Sequence, residues 1–296
     1  MQRRDFLAGL VATPTMPTLT ELMADVKLAS HQVPAPTPTV PSKKNFQAWE
    51  CMRWNNAPAS LATCGLRRMP IYYQNSLVTG TELDFPKLDK VIANIKANRQ
   101  SFVTLDIEWN AASTSDRQKM IRLVAYMRSK LPTTTKLAIF GRMPKPRYAD
   151  YVAGGERLAR MRRENRLMIP LAEKVDWIMP QFYTYNTNRK DWVKFAEIMI
   201  SEARIYNKPV MPWVWPQYND WSADKSLRYQ FISGDFFRLQ LDTTYRLADS
   251  LCIWGTLKPL PNGTRGRATW NPNAPWWLQT KAFLKSHGQL PATCRA

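Results

Sequence analysis

Residues 101–110 read Ser-Phe-Val-Thr-Leu-Asp-Ile-Glu-Trp-Asn, an apolar run that ends in two acids one residue apart. In an extended strand, residues i and i+2 share a face, so Asp106 and Glu108 project together, about 7 Å apart. Carboxylates at that spacing repel, and one of them is expected to keep its proton above the ordinary carboxylate range. A protonated carboxyl beside an ionised one is what glycosidic cleavage requires. Solvated acids at a strand-to-loop junction would show the same spacing. The aromatic and amide side chains of later segments weigh against that simpler account. Segment 177–186 reads WIMPQFYTYN, segment 209–220 reads PVMPWVWPQYND, and segment 251–255 reads LCIWG. Tyr and Trp stack on sugar rings, while Gln and Asn hydrogen-bond hydroxyls and amides. Any one of the twelve tryptophans is more simply a core residue. Three strand ends with the same chemistry suggest a site.

The chain has two histidines, His31 and His287. The first lies in a Pro/Thr-rich stretch and the second in the last helical pattern, so a Ser-His-Asp triad, a His-rich zinc site or an HExxH protease is not expected. Carboxylates, tyrosines and amides are left to do the chemistry, with no metal or cofactor called for.

Apolar strand-like runs at 46–50, 70–73, 102–107, 136–140, 177–183, 209–213 and 250–254 position these residues. Amphipathic helical patterns fall between them at 86–98, 115–130, 155–173, 189–206, 228–247 and 275–287. Pro86 suits a first helical turn, and Leu88, Val91, Ile92 and Ile95 share one helical face. Ser115 is expected to cap the next helix, over a buried stripe of Met120, Leu123, Val124 and Met127. Strand and helix alternating six or seven times means a parallel α/β sheet. With eleven glycines and no GxGxxG or GxxxxGK motif, a doubly wound nucleotide fold loses to a distorted (β/α) TIM-type barrel of seven to eight parallel strands. The C-terminal strand ends of such a barrel form the mouth of the active site.

Lys and Arg number 42 against 23 Asp and Glu, a net charge of +19. Residues 1–42 contribute three of each sign, so the excess belongs to the body. A field of that size favours polyanions. Arg142, Lys145 and Arg147, with the cluster Arg157, Arg160, Arg162, Arg163 and Arg166, would suit a uronate-bearing chain; a solvated helix face explains the cluster equally well. Cys51, Cys64, Cys252 and Cys294 form no CxxC pair, which argues against a zinc cluster. One or two disulfides are expected in an oxidising compartment, with Cys51–Cys64 closing a short loop. Arg3-Arg4-Asp5-Phe6-Leu7, followed by an apolar stretch, has the form of a twin-arginine export leader over 1–30. A Pro/Thr-rich linker spans 31–42, and a single barrel domain is expected over 43–296. The predicted location is therefore periplasmic or secreted.

With these residues in view, the chain resembles the hyaluronidase-like glycoside hydrolases and, more distantly, the chitinase-type barrels. The resemblance runs through Trp54-Asn55, Ile71-Tyr72-Tyr73-Gln74-Asn75-Ser76, Leu105-Asp106-Ile107-Glu108-Trp109, Met179-Pro180, Pro209-Val210-Met211-Pro212-Trp213 and Cys252-Ile253-Trp254-Gly255. It implies retaining, substrate-assisted cleavage beside an N-acetylhexosamine in a polysaccharide, possibly an anionic glycosaminoglycan. Glu108 would be the general acid, and Asp106 would orient the substrate's acetamido group, whose carbonyl acts as nucleophile. Tyr183 would hydrogen-bond the acetamido oxygen, with Gln181 as competitor. Trp254 would floor the sugar pocket, Trp213 or Tyr218 would wall it, and Tyr185 and Trp109 would complete the binding surface. The chain departs from the animal members at Trp109, where they have a second acid, and it lacks their cysteine framework.

Two other classes stay open. A barrel that binds carbohydrate without catalysis would keep the aromatics and have no use for a perturbed acid pair. A nucleic-acid binder would use the +19 charge, but it shows no recognised motif and its aromatics do not interleave with its arginines.

Overall fold

The computed structural model describes residues 45–255, 257–259 and 265–294. The leader at 1–30 and the linker at 31–42, with His31, lie outside the described residues. Seven parallel strands carry the fold: β1 (Gln47–Met52), β2 (Ile71–Tyr73), β3 (Phe102–Asp106), β4 (Lys136–Phe140), β5 (Trp177–Met179), β6 (Trp213–Val214) and β7 (Ser250–Gly255). Eight helices lie among and after them: α1 (Phe85–Ala97), α2 (Thr114–Lys130), α3 (Tyr148–Ala153), α4 (Gly155–Arg166), α5 (Ile169–Ala172), α6 (Arg189–Arg204), α7 (Gly234–Leu247) and α8 (Pro275–Ser286).

The expected barrel is not drawn as one continuous ladder. The strands form two parallel sheets of four, one ordered Arg67–Arg68, β1, β7, β6 and the other β2, β3, β4, β5. Proline interrupts the ladder at both junctions, since it has no N–H to donate. Arg67–Arg68 pairs with β1, then Pro70 intervenes, and the same extended segment pairs with β3 through β2. On the other side, Pro180, Pro209 and Pro212 leave only the bridges Ile178–Val210, Gln181–Trp213 and Thr184–Tyr218. The expected strand at 177–183 is therefore cut to three residues, and the one at 209–213 to Trp213–Val214.

Side chains alternate cleanly across the strands. Ala48, Val103, Leu105, Leu137, Ile139, Ile178, Val214, Leu251 and Ile253 pack in the large core that also holds the buried faces of the helices. Residues of the other parity gather in a second cluster drawn from all seven strands, including Cys51, Ile71, Phe102, Ala138, Met179, Trp213 and Cys252. This inner cluster is aromatic and sulfur-rich where the outer one is largely aliphatic.

Asp84 caps α1 by accepting from the Lys87 N–H, with Pro86 in the first turn. The cap of α2 is Ser113, not Ser115, and its hydroxyl accepts from Asp116 N–H. The helix expected at 155–173 is two pieces, α4 and α5, and α3 precedes them. Gly154 and Gly155 both hold positive φ, and Pro170 opens a new first turn. The helix expected from 228 starts at Gly234, because 217–231 is spent on a loop braced by the Gln217–Phe231 bridge.

The expected Cys51–Cys64 pair does not form. Cys64 is joined to Cys294, 230 residues away, while Cys51 and Cys252 stay free and buried. Cys51 points into the inner cluster, whereas Cys64 packs in the outer core. Gly65, at φ +84°, lets the chain pass this crosslink. A Cβ there would lie 2.2 Å from the Gln289 carbonyl oxygen.

Candidate active site

A cleft of about 1580 Å³ opens where β3, β4 and β7 end, and eight of the nine sequence-predicted site residues line it. The exception is Tyr218. Its ring has the parity of Val214 and is buried in the outer core, so it points away from the cleft that Trp213 and Trp215 face.

Asp106 is the last residue of β3, and Glu108 follows two residues later on the same side. Between them Ile107 turns to the opposite, buried face, and Trp109 beyond them packs mostly in the large core while still reaching the edge of the cleft. The two acids sit in different surroundings. Oδ1 of Asp106 is buried with no hydrogen-bond partner. Burial, then the Glu108 charge, push the Asp106 carboxyl up to about 7, with Arg142 pulling the other way. Glu108 reaches outward, 71% exposed, and accepts from Arg142 Nη2 at 3.3 Å. Its backbone N–H donates to Gln74 Oε1 at 2.7 Å. Of the two acids, Asp106 is the one whose surroundings hold its proton above the ordinary carboxylate range.

Arg142 was visible in the sequence only as one of many basic residues, and its position is set by the turn after β4. It reaches across to donate to the Trp109 carbonyl oxygen at 3.3 Å as well as to Glu108, and its Nε is buried without a partner. Most of the basic cluster on α4 does not reach the cleft. Arg160, Arg162 and Arg163 pair with Asp150, Glu202 and Glu156.

The aromatic residues build the floor and one wall. Tyr183 stacks on Trp254 with ring centres 5.6 Å apart and planes at 24°. Trp215 meets the edge of Trp254 at 4.8 Å. Complete burial pushes the Tyr183 phenol well above its ordinary value, so it stays a neutral donor. Trp213 is fully buried against Phe140 at 4.7 Å, which puts it at the base of the cleft instead of in a wall. Gln181 accepts from Tyr185 Oη at 3.3 Å, and Tyr185 packs on Tyr148 at 5.2 Å. The ring of Trp109 lies under the Lys119 amine at the edge of the site. Sequence reasoning missed Tyr73, Tyr148, Trp215 and Trp221. The alternation that picks out Trp213 also picks out Trp215, two residues on, so that one was within reach.

No family model and no curated protein matches this sequence. Solved structures do match. Bee venom hyaluronidase aligns at 14% identity over 82% of this chain and 98% of that chain, with a TM-score of 0.52. The same enzyme in complex with a hyaluronic acid tetramer aligns at 15% identity over 81% and 96%, with a TM-score of 0.49. A fungal endo-β-N-acetylglucosaminidase of glycosyl hydrolase family 18 follows at 14% identity over 74% and 72%, with a TM-score of 0.41. The fold is like that of bee venom hyaluronidase, with its parallel strands divided here between two sheets and no closed barrel among the described residues. The chain thus resembles a hyaluronidase, at an identity that speaks for architecture alone.

Proposed function

We propose that this protein is an exported glycoside hydrolase that cuts beside an N-acetylhexosamine in a polysaccharide, with retention and with the substrate's acetamido group as nucleophile. On this reading the two sheets are halves of one distorted barrel, residues 43–296 form the catalytic domain, and 1–30 and 31–42 are leader and linker. The Cys64–Cys294 crosslink suits an oxidising compartment. No helix among the described residues is long and apolar enough to cross a membrane.

The observation that carries the reading is the orphaned Oδ1 of Asp106 at the bottom of a cleft whose next acid is Glu108. One proton serves the pair. A bound sugar takes Glu108 out of water, which raises its proton affinity. The acetamido N–H donates to Asp106, which lowers the affinity there. Both changes move the proton to Glu108. Glu108 then gives it to the glycosidic oxygen as the C1–O bond breaks, and the acetamido carbonyl oxygen bonds to C1, positioned by the Tyr183 hydroxyl. Water attacks C1 next, its proton returns to Glu108, and the acetamide is regenerated. Trp254, Tyr185 and Gln181 form the binding surface, with Trp213 packed beneath it and Trp109 at its edge.

A reducing-end assay on hyaluronan, chitin oligomers, chondroitin and peptidoglycan tests this, with wild type beside Glu108→Gln. Release of ends by wild type and its loss in the variant is the expected result; no release from any of the four removes the proposal. A glycan-binding barrel without catalysis is the second reading, favoured by the solvent-facing, Arg142-paired state of Glu108. It predicts glycan affinity in both proteins and turnover in neither.

A further inference from the structure

The cleft of this basic protein holds more acids than bases. Asp106, Glu108, Asp150, Asp191, Asp220 and Asp224 line it, six carboxyl groups, of which Asp106 is held towards its protonated form and Asp150 pairs with Arg160. Arg142, Lys145, Arg147 and Arg265 are the four cations among its lining residues. Three of the four already face an acid: Arg142 pairs with Glu108, Lys145 with Glu164, and Arg265 with Asp220 at 2.8 Å. Only Arg147 has no ion pair among the described residues. The +19 of the chain therefore lies outside the cleft. A chain with a uronate on every second sugar would bring repeated negative charge to a surface with a single unpaired cation, Arg147, to meet it, beside the carboxylates of Asp191 and Asp224.

What the cleft does offer is flat apolar surface. Trp221 is 81% exposed, more than any other large hydrophobic side chain among the described residues, and it lines the cleft. Its loop is braced. The Trp221 N–H donates to Asn219 Oδ1 at 2.8 Å, and Asn219 N–H donates to the Thr184 carbonyl at 2.7 Å. Arg228 Nε donates to the Ser222 carbonyl at 3.0 Å, and Tyr218 N–H donates to the Gln230 carbonyl at 2.9 Å. An indole held in water by a fixed main chain is a preformed platform, since little ordering remains to be done when a ring settles on it. The volume of about 1580 Å³ exceeds the range of drug-sized ligand pockets, so the platform and the acid pair can engage different sugars of one chain.

We infer that the cleft takes an uncharged N-acetylated glycan chain, not a polyanionic one, and that Trp221 is the stacking platform for a sugar of that chain away from the acids. The inference rests on the carbohydrate reading of the site and does not require that the bond be cut. The test is calorimetric binding of the full chain carrying Glu108→Gln, with N-acetylglucosamine hexamer and hyaluronan hexasaccharide as probes, at low and high salt. The uncharged hexamer is expected to bind about tenfold tighter than the hyaluronan fragment, with an affinity that salt barely moves. Adding Trp221→Ala is expected to weaken hexamer binding about tenfold, and Trp221→Phe to restore part of it. Equal or tighter binding of the hyaluronan fragment, an unmoved affinity in Trp221→Ala, or no binding of either probe overturns the inference. If the hexamer binds through Trp221 but wild type never cuts it, the inference stands and the hydrolase reading falls.

Discussion

Glu50 is buried and Asp106 partly so, with one carboxyl oxygen out of reach of water; both lie on parallel strands, and they are treated oppositely. Glu50 on β1 is 2% exposed and fully engaged. Arg68 Nη1 donates to both of its oxygens, at 2.9 and 2.8 Å, and the Met52 N–H donates to Oε2 at 2.9 Å. Glu202 on α6 repeats the pattern with Arg162 and Asn165. Asp106 has an oxygen with no donor at all, and the charges that act on it are the Glu108 carboxylate and the Arg142 guanidinium. A buried acid with its partners in place holds local structure together. One without them costs stability unless a ligand supplies the missing donor. That contrast separates the candidate catalytic acid from the structural ones more sharply than burial does.

The largest expected effect sharpens the functional side of the contrast. Glu108→Gln is expected to lower kcat about 1000-fold, within the range of a lost general acid, while leaving the thermal midpoint in place because the side chain is exposed. Initial rates and a melting curve on the same preparation check this. An unchanged kcat would demote the pair to solvated acids.

The next concerns pH. Asp106 titrates at about 7 in the folded protein against an ordinary value of 3.8. Between those values the unfolded chain ionises this group while the native state keeps it protonated. Wild-type stability therefore falls as pH rises from about 4 to 7 and levels off above, by up to about 4 kcal/mol for this group. Asp106→Asn is expected to remove that slope. Urea midpoints at pH 4, 5, 6, 7 and 8 decide it; a slope that survives in the variant belongs to another residue.

Breaking the structural acid has a smaller effect of a different kind. Glu50→Ala leaves the Met52 N–H without its acceptor and is expected to cost about 2 kcal/mol, a melting shift of several degrees. The kcat of the folded fraction is expected to stay within about twofold of wild type, because Glu50 does not line the cleft. A drop in kcat comparable to that of Glu108→Gln would erase the distinction drawn above. At the small end, Arg163→Ala removes an ion pair whose partners are 65% and 81% exposed. It is expected to change stability by less than about 0.5 kcal/mol and kcat not at all. A larger change would mean that the α4 cluster acts on the site.

Much of this architecture is legible in the chain because it depends on local periodicity. Strands β1, β3, β4 and β7 and most helices fall within a residue or two of their expected places, since alternation of period two and stripes of period 3.6 survive in any tertiary context. Asp106-x-Glu108 is legible for the same reason: parity alone puts both on one face. The prolines were also visible, but how they divide the sheet depends on which neighbour each N–H would have met.

The sequence by itself determined which residues share a face, because a strand's pleat and a helix's turn are properties of the backbone over a few residues. The tertiary structure decided which cysteine meets Cys64, that Tyr218 packs outward, that Arg142 crosses to Glu108, and that burial raises the proton affinity of Asp106. It also decided that the cleft has only one unpaired cation among its lining residues although the chain is basic. Each of these turns on distances between segments far apart in the chain, and on how much water is left around a charge once they have packed.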